Sequence, residues 1–361
     1  MIPGAATPAG TRRYASRFKS AFSPDFYRST LDHLTVASIG MGTYLGDCDD
    51  AEDDRYVTLL AEGIRNGLNV LDTAINYRCQ RSERAVGRAL QQVVESGVAS
   101  RDEILICTKG GYIPLDGAPP DSRSKYDAYL EAEYFTRGVM ASRDVVAGGH
   151  CLTRGFIANQ IERSRANLGI ETIDLFYLHN PEQELDVFDR KQFMNLMREA
   201  FEELEAQAAR GTIKSYGCAT WSGFRVGSSH RSHLSLAEIV QLAEETGGKA
   251  HNFRAIQLPI NLAMTEAIRS PTQILNGKPA SVLDLAKALG ISVFASASLM
   301  QSQLSRDLPP AVKSLFPTLS TDAQRAIAFV RSLPVSAALV GMKSLPHLEE
   351  NLSAGNAFIQ S

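Results

Sequence analysis

The chain reads as a single-domain α/β protein, a (β/α)8 TIM barrel, and three observations carry that reading. Eight short runs rich in Val, Ile, Leu and Phe recur along the 361 residues, longer segments with helical apolar spacing lie between them, and the first strand-to-helix turn, GMGTYLGD, has no G-x-G-x-x-G spacing. Apolar strands separated by amphipathic helices form parallel βαβ units whose strands are buried on both faces. Eight such units in roughly 320 residues suggest a closed barrel. The absent glycine fingerprint argues against an open dinucleotide-binding sheet.

In chain order the predicted strands are TVASIG (35–40), LNVLDTA (68–74), ILICTKG (104–110), IDLFYLH (173–179), IKSYGCA (213–219), AIQLPI (255–260), ISVFASA (291–297) and SAALVGM (336–342). Between them DDRYVTLLAEGIRNG, SERAVGRALQQVVES, RGFIANQIERSRANLG, RKQFMNLMREAFEELEAQAARG, SLAEIVQLAEETGG, SVLDLAKALG and STDAQRAIAFVRSLP place apolar residues at i, i+3, i+4 and i+7, the period of a helix with one buried face. Gly67, Gly169, Gly211 and Gly290 stand where helix C-termini favour a residue free to turn left-handed. Residues 1–30, rich in Ala, Pro, Thr and Arg, are expected to form a flexible N-terminal arm, with the barrel over 31–361.

Two connections are long for simple loops: 111–153 after the third strand and 261–280 after the sixth. Both leave C-terminal strand ends, where barrel active sites are built. Long loops in a compact domain are usually lids or insertions, and the four tyrosines and one phenylalanine of the 111–153 insert favour a cover over the substrate.

Composition narrows the function. With 44% hydrophobic and 21% charged residues the chain can bury a large core, and a net charge of −3 gives no electrostatic argument for nucleic acid or an anionic membrane. The five cysteines are odd in number, scattered, and lack C-x-x-C or Cys/His ligand spacing, which fits a reduced protein without structural zinc or another metal. Neither a signal-peptide core nor an apolar run of about 18 residues is present, so the expectation is a soluble cytoplasmic protein of unknown oligomeric state.

The chemistry collects at strand ends. Asp72 ends the second strand, Lys109 the third and His179 the fourth, while Tyr77 follows Asp72 by five residues. A strand end in a charged residue usually means only that the strand has reached water. Four such groups around one barrel axis mean more, because their chemistry is coherent. A phenol with an ordinary pKa near 10 donates poorly to a developing alkoxide unless its anion is stabilised, a lysine ammonium nearby stabilises it, and a carboxylate holds that ammonium. A histidine beside the phenol can orient a carbonyl oxygen. The set suits proton relay in carbonyl reduction, with the hydride left to a cofactor.

Together, NVLDTAINY followed by SERAVGRAL, then ILICTKGG, IERSRANLGIETIDLFYLHNPE and LVGMKSLPHLEENLSA, resemble the aldo-keto reductase superfamily over residues 33–356. The resemblance implies a catalytic tetrad of Asp72, Tyr77, Lys109 and His179, none of them substituted, and NADP(H) lying across the barrel top, with NAD(H) still open. It places Gly42 and Thr43 of GMGTY near the nicotinamide ribose; Tyr44 is expected on the substrate side, and Trp221, which follows the fifth strand at the barrel top, is either a substrate wall or core packing. Where the family has a Ser-Asn pair for the carboxamide, this chain has Ala219, which has no side-chain donor, and Thr220, which has one hydroxyl. Gln257 matches the family glutamine at the same amide, and Ile260 stands where many members stack an aromatic ring. Lys343 and Ser344 would meet the adenosine phosphate, Glu350 and Asn351 the adenine or ribose, and His347 replaces a common arginine.

The expected activity is NAD(P)(H)-dependent interconversion of a small-molecule carbonyl and alcohol. The alternatives are an NADPH-binding regulatory or sensor subunit with little turnover, and an isomerase or dehydratase reusing Tyr77, Lys109 and His179 without redox chemistry. His150 and His251, outside the motifs, read as solvated or hydrogen-bonded. Cys79 and Cys107 lack a His or Asn partner and make poor candidate nucleophiles. The acidic run DCDDAEDD (47–54) reads as a solvated helix N-terminus rather than a metal site.

Overall fold

A computed structural model describes residues 1–146 and 148–356, so Ala147 of the insert and 357–361 of the expected barrel domain lie outside the described residues. Eight parallel strands close into a barrel: β1 Ile39–Gly42, β2 Val70–Asp72, β3 Leu105–Gly110, β4 Ile173–His179, β5 Ile213–Ala219, β6 Phe253–Pro259, β7 Ser292–Ser296 and β8 Ala337–Gly341. β8 pairs with β1 from Ala338↔Ile39 to Gly341↔Gly42, which completes the ring.

Each segment with helical period forms a helix. Those over Asp50–Arg65, Arg81–Glu95, Arg154–Leu168, Arg190–Arg210, Leu236–Gly247, Val282–Ala288 and Asp322–Arg331 pack their apolar faces on the outside of the barrel. Asp189 and Gln192 form a capping box that starts Arg190–Arg210, and Gly211, at φ 78°, ends it. Burying a Val, Leu or Ile side chain is worth about 1.5–3 kcal/mol, so this outer layer is the main source of stability.

The first strand differs from its expectation. The run 35–40 spans two strands: Leu34–Ala37 pairs antiparallel with Tyr27–Thr30, and the chain turns at Ser38 before β1. Apolar character continues through the corner, so periodicity shows no break there. Ser38 is fixed by its N–H donating to Phe26 O (2.8 Å) and its hydroxyl accepting from Arg331 Nε (2.9 Å).

Residues 1–30 are also not the flexible arm the composition suggests. Pro8–Arg17 is a helix capped by Thr7, with Thr11 and Tyr14 fully buried, and Phe26 is fully buried as well. The following hairpin plugs the N-terminal end of the barrel, where Leu31, Leu34 and Val36 join Val70, Leu105 and Phe294 in one inner cluster. Asn69 locks it, accepting from Ala37 N (2.8 Å) and donating to Thr35 O and Glu103 O. Few of the arm's residues are large and apolar, and small or polar residues such as Ala6, Thr11 and Ala15 bury alongside Tyr14 and Phe26.

Most of the 111–153 insert packs on the flank of the barrel. Arg123–Leu130 is a helix, Tyr134 is buried against Phe156, and Tyr129 donates to Pro114 O. Of the insert's aromatic residues only Tyr112 lines the cavity described below, so the expected cover reduces to that one side chain. The 261–280 connection forms a short helix, Glu266–Arg269, and a small hairpin of Gln273–Leu275 with Lys278–Ala280. Among the described residues no helix is long and apolar enough to cross a membrane.

Candidate active site

Strand length and register decide what reaches the C-terminal face. Asp72 ends β2, and beyond it the chain keeps hydrogen bonding to β3, with Thr73 N donating to Cys107 O and Ile75 N to Lys109 O. That extension carries Tyr77 over Lys109. Arg78, Cys79 and Gln80 then take left-handed φ values of 48°, 54° and 68°, three consecutive non-glycine residues in a costly region. Side chains hold the turn. Arg78 donates to Asp47 O (2.8 Å) and Asp53 Oδ1 (2.5 Å), Arg81 pairs with Asp50 and Asp53, and Gln80 Nε2 donates to Leu115 O. The acidic run therefore does more than complement a helix dipole, although Asp49 does cap Asp50–Arg65 as expected.

The four expected catalytic residues converge. Lys109 Nζ donates to Asp72 Oδ2 (2.7 Å) and Thr73 O (2.8 Å), and it lies 5.0 Å from the centre of the Tyr77 ring. The Tyr77 and His179 rings meet edge to face at 5.8 Å, and the Tyr44 and Tyr77 rings do so at 5.0 Å. Burial pushes the Tyr77 phenol above its ordinary value, opposed by the pull of Lys109. Burial alone would lower the Lys109 ammonium, but Asp72 and Tyr77 outweigh it and hold the amine above the usual lysine range. Burial, reinforced by Lys109 and His150, drives His179 well below the usual histidine range, so its imidazole is neutral.

These groups face a cavity of about 600 Å³. Gly42, Thr43, Ala219, Thr220 and Gln257 line it together with Asp72, Tyr77 and His179. Thr43 gives its hydroxyl to Asp72 O, whereas Thr220 Oγ1 is buried without a hydrogen-bond partner. Tyr44 and Trp221 sit at the rim, 56% and 54% exposed, which makes Trp221 a wall of the cavity rather than core packing. Ile260 does not reach the cavity: it is fully buried among the outer core residues, its N–H on Ser296 O. One face of β6 points outward, and a residue three places past Gln257 falls on it.

At the end of β8, Ser344 caps the helix Leu345–Ser353, accepting from His347 N. Lys343 and His347 are exposed beside that helix N-terminus, Glu350 is half-buried and Asn351 is buried. The cavity lining extends to Gly341, two residues before Lys343.

Several lining residues carried no sequence signal. The stretch Ser296–Gln303 forms one wall, with Ala297, Met300, Gln301 and Ser302 left-handed, a bend normally flagged by glycine and here made without one. Asn180 is left-handed too and lines the cavity. Cys107 and Cys79 are raised by burial, Cys79 to about 12, so neither is a thiolate poised for attack. His251 lies at the foot of β6, away from the cavity.

A family model for aldo/keto reductases matches residues 38–311, about three quarters of the chain. The chain belongs to the aldo/keto reductase family. Among this chain's relatives, D-threo-aldose 1-dehydrogenase from a Pseudomonas species is 28% identical over 196 residues, 51% of this chain and 50% of that protein. The uncharacterized oxidoreductase YqkF of Bacillus subtilis strain 168 is 26% identical over 188 residues, 52% of this chain and 46% of that one. The aldo/keto reductase chain thus spans about half the length of the curated relatives it matches. An aldo/keto reductase from Klebsiella pneumoniae, solved in complex with NADP and acetate, has the same fold, with TM-score 0.61 at 19% identity over 93% of this chain and 91% of that one. The holo form of AKR11C1 from Bacillus halodurans gives 0.59 at 19% identity over 93% and 92%.

Proposed function

We propose that this chain is an NADP(H)-dependent oxidoreductase that interconverts an aldehyde or ketone and an alcohol, with NAD(H) the less favoured cofactor. The observation that carries the reading is the set of Tyr77, the Lys109–Asp72 ion pair and neutral His179 around one cavity.

The residues fit a nicotinamide dinucleotide. Gly42 and Thr43 would meet the ribose, and the orphaned Thr220 hydroxyl and Gln257 the carboxamide. Lys343, Ser344 and His347 at a helix N-terminus suit a phosphate, with Glu350 and Asn351 toward the adenosine. Bound there, the cofactor supplies the hydride that no side chain can. The chain's own task is the proton. Neutral His179 orients the substrate oxygen, Tyr77 delivers its phenolic proton to that oxygen as the carbon is reduced, and Lys109 stabilises the phenolate left behind. Asp72 keeps the ammonium charged and in place. In alcohol oxidation the same proton returns to Tyr77. Tyr44, Tyr112 and Trp221 form the aromatic walls against which the substrate lies.

Fluorescence titration with NADPH and NADH, followed by a carbonyl panel read at the nicotinamide absorbance, tests the reading. Tyr77→Phe is expected to abolish turnover and leave NADPH affinity nearly unchanged. Wild-type activity in that variant would sink the assignment. NADPH binding without any turnover would point to a sensor, and no binding at all to a non-redox enzyme.

A further inference from the structure

His150 sits at the end of the insert and is fully buried, as is Glu184 in the short helical turn after β4. The imidazole joins them to the site. His150 Nδ1 is 2.7 Å from Glu184 Oε1, and His150 Nε2 is 2.7 Å from the carbonyl oxygen of His179. We propose that the His150–Glu184 pair is a positioning device for the reaction, fixing the His179 main chain and so the angle at which its ring meets a substrate oxygen. This rests on the catalytic reading of the cavity given above.

Proton inventory supports the assignment. A carbonyl oxygen only accepts, so His150 Nε2 carries a hydrogen, and one further proton lies between Nδ1 and the carboxylate. With both ring nitrogens committed, His150 can neither bind substrate nor exchange protons with it, so its influence passes through His179.

The local backbone explains why such a clamp is needed. β3 and β4 last pair at Gly110↔Leu178, one residue short of His179, and the next residue, Asn180, is left-handed. On the β5 side pairing continues through His179↔Ala219, but on the β3 side the His179 carbonyl lies beyond the last paired residue, and there His150 supplies its donor. Space is reserved for this contact. A Cβ on Gly111 would lie 2.8 Å from His150 Nε2 and 2.9 Å from His179 O, at φ 147°, so no larger residue fits there.

Tyr112 completes the block. Its ring meets His150 edge to face at 4.9 Å and His179 at 5.0 Å. Its hydroxyl donates to Gln183 Oε1 and accepts from Asn180 Nδ2 (3.0 Å). A residue pinned from three sides moves little, and a displacement of about 1 Å at a reacting group can cost on the order of a hundredfold in rate.

The test combines kinetics with a spectroscopic readout. His150→Ala is expected to lower kcat tenfold to a hundredfold, on the order seen when a supporting residue is lost, with NADPH affinity by fluorescence within about threefold of wild type. His150→Gln, whose amide can donate to His179 O, should recover most of that loss. An unchanged kcat in folded His150→Ala, or a rise in KM alone, overturns the proposal. Histidine-selective 15N spectra of the wild-type protein should show His150 protonated at Nε2, hydrogen-bonded at Nδ1 and shielded from solvent, and Glu184→Gln should move the His179 ring signals as well. A solvent-exchanging His150, or one bare at Nε2, overturns the proposal even where a variant fails to fold. The spectra need no turnover, so an absent reductase activity would remove the proposed function while leaving this coupling readable.

Discussion

Gln257 Nε2 donates to Asp72 Oδ1 across 2.8 Å, while Lys109 holds the other oxygen of the same carboxylate. The glutamine expected to meet the cofactor amide thus holds the carboxylate that pairs with Lys109. Gln257→Leu removes the donor and leaves a buried carboxylate oxygen unsatisfied, which costs about 1–3 kcal/mol. Chemical denaturation should show that loss, and kcat should fall together with nicotinamide affinity. A change in affinity alone would mean that the Asp72 contact does no work in turnover.

The Lys109–Asp72 pair is almost fully buried, with 1% and 7% of each side chain exposed. Removing one partner strands the other charge, so Lys109→Met should destabilise the protein by roughly 3–5 kcal/mol in urea unfolding. The double variant Lys109→Met/Asp72→Asn should be more stable than the single one, because the stranded charge is gone. Equal stability of the two would show that water reaches Asp72 in the single variant.

Tyr77 is raised by burial despite Lys109, and His179 is driven well below its ordinary value by burial and nearby cations. Reduction needs the protonated phenol and the neutral imidazole. Its kcat should therefore show no inflection near the ordinary histidine value of about 6.5, and should fall only as pH rises past the ordinary phenol value of about 10. A pH–rate profile in the reductive direction checks this, and an inflection near neutral pH would contradict the neutral His179.

Asn69 satisfies three main-chain groups between the N-terminal hairpin and the barrel. Asn69→Ala leaves them buried without partners and should cost at least about 2 kcal/mol in chemical denaturation, while cofactor titration at low temperature stays near wild type. Loss of affinity with unchanged stability would contradict a purely architectural role for the plug.

Much of the candidate catalytic set was legible because it sits where patterns break: Asp72, Lys109 and His179 end apolar strands, and a polar residue at the end of such a run stands out. The helices were legible because a single buried face imposes its period on the sequence. Asn180 and the Ser296–Gln303 wall were not, since loops that line a cavity carry no period and their left-handed bends use no glycine. His150 looked unremarkable for a related reason: its partners, Glu184 and the carbonyl of His179, are brought to it only by the fold. Ile260 misled because position in a motif does not say which face of a strand a side chain takes.

The hairpin at the foot of the barrel also constrains the order in which the protein is made. Thr30 Oγ1 contacts the hydroxyls of Ser292 in β7 and Ser336 just before β8, and Arg28 donates to the carbonyls of Arg331, Leu333 and Val335. A segment that precedes every barrel strand in the chain thus finds its partners between Ser292 and Ser336, after six of those strands have been made. During synthesis Leu31, Leu34 and Val36 have no finished socket, and an apolar hairpin left waiting in that way is a natural client for a chaperone.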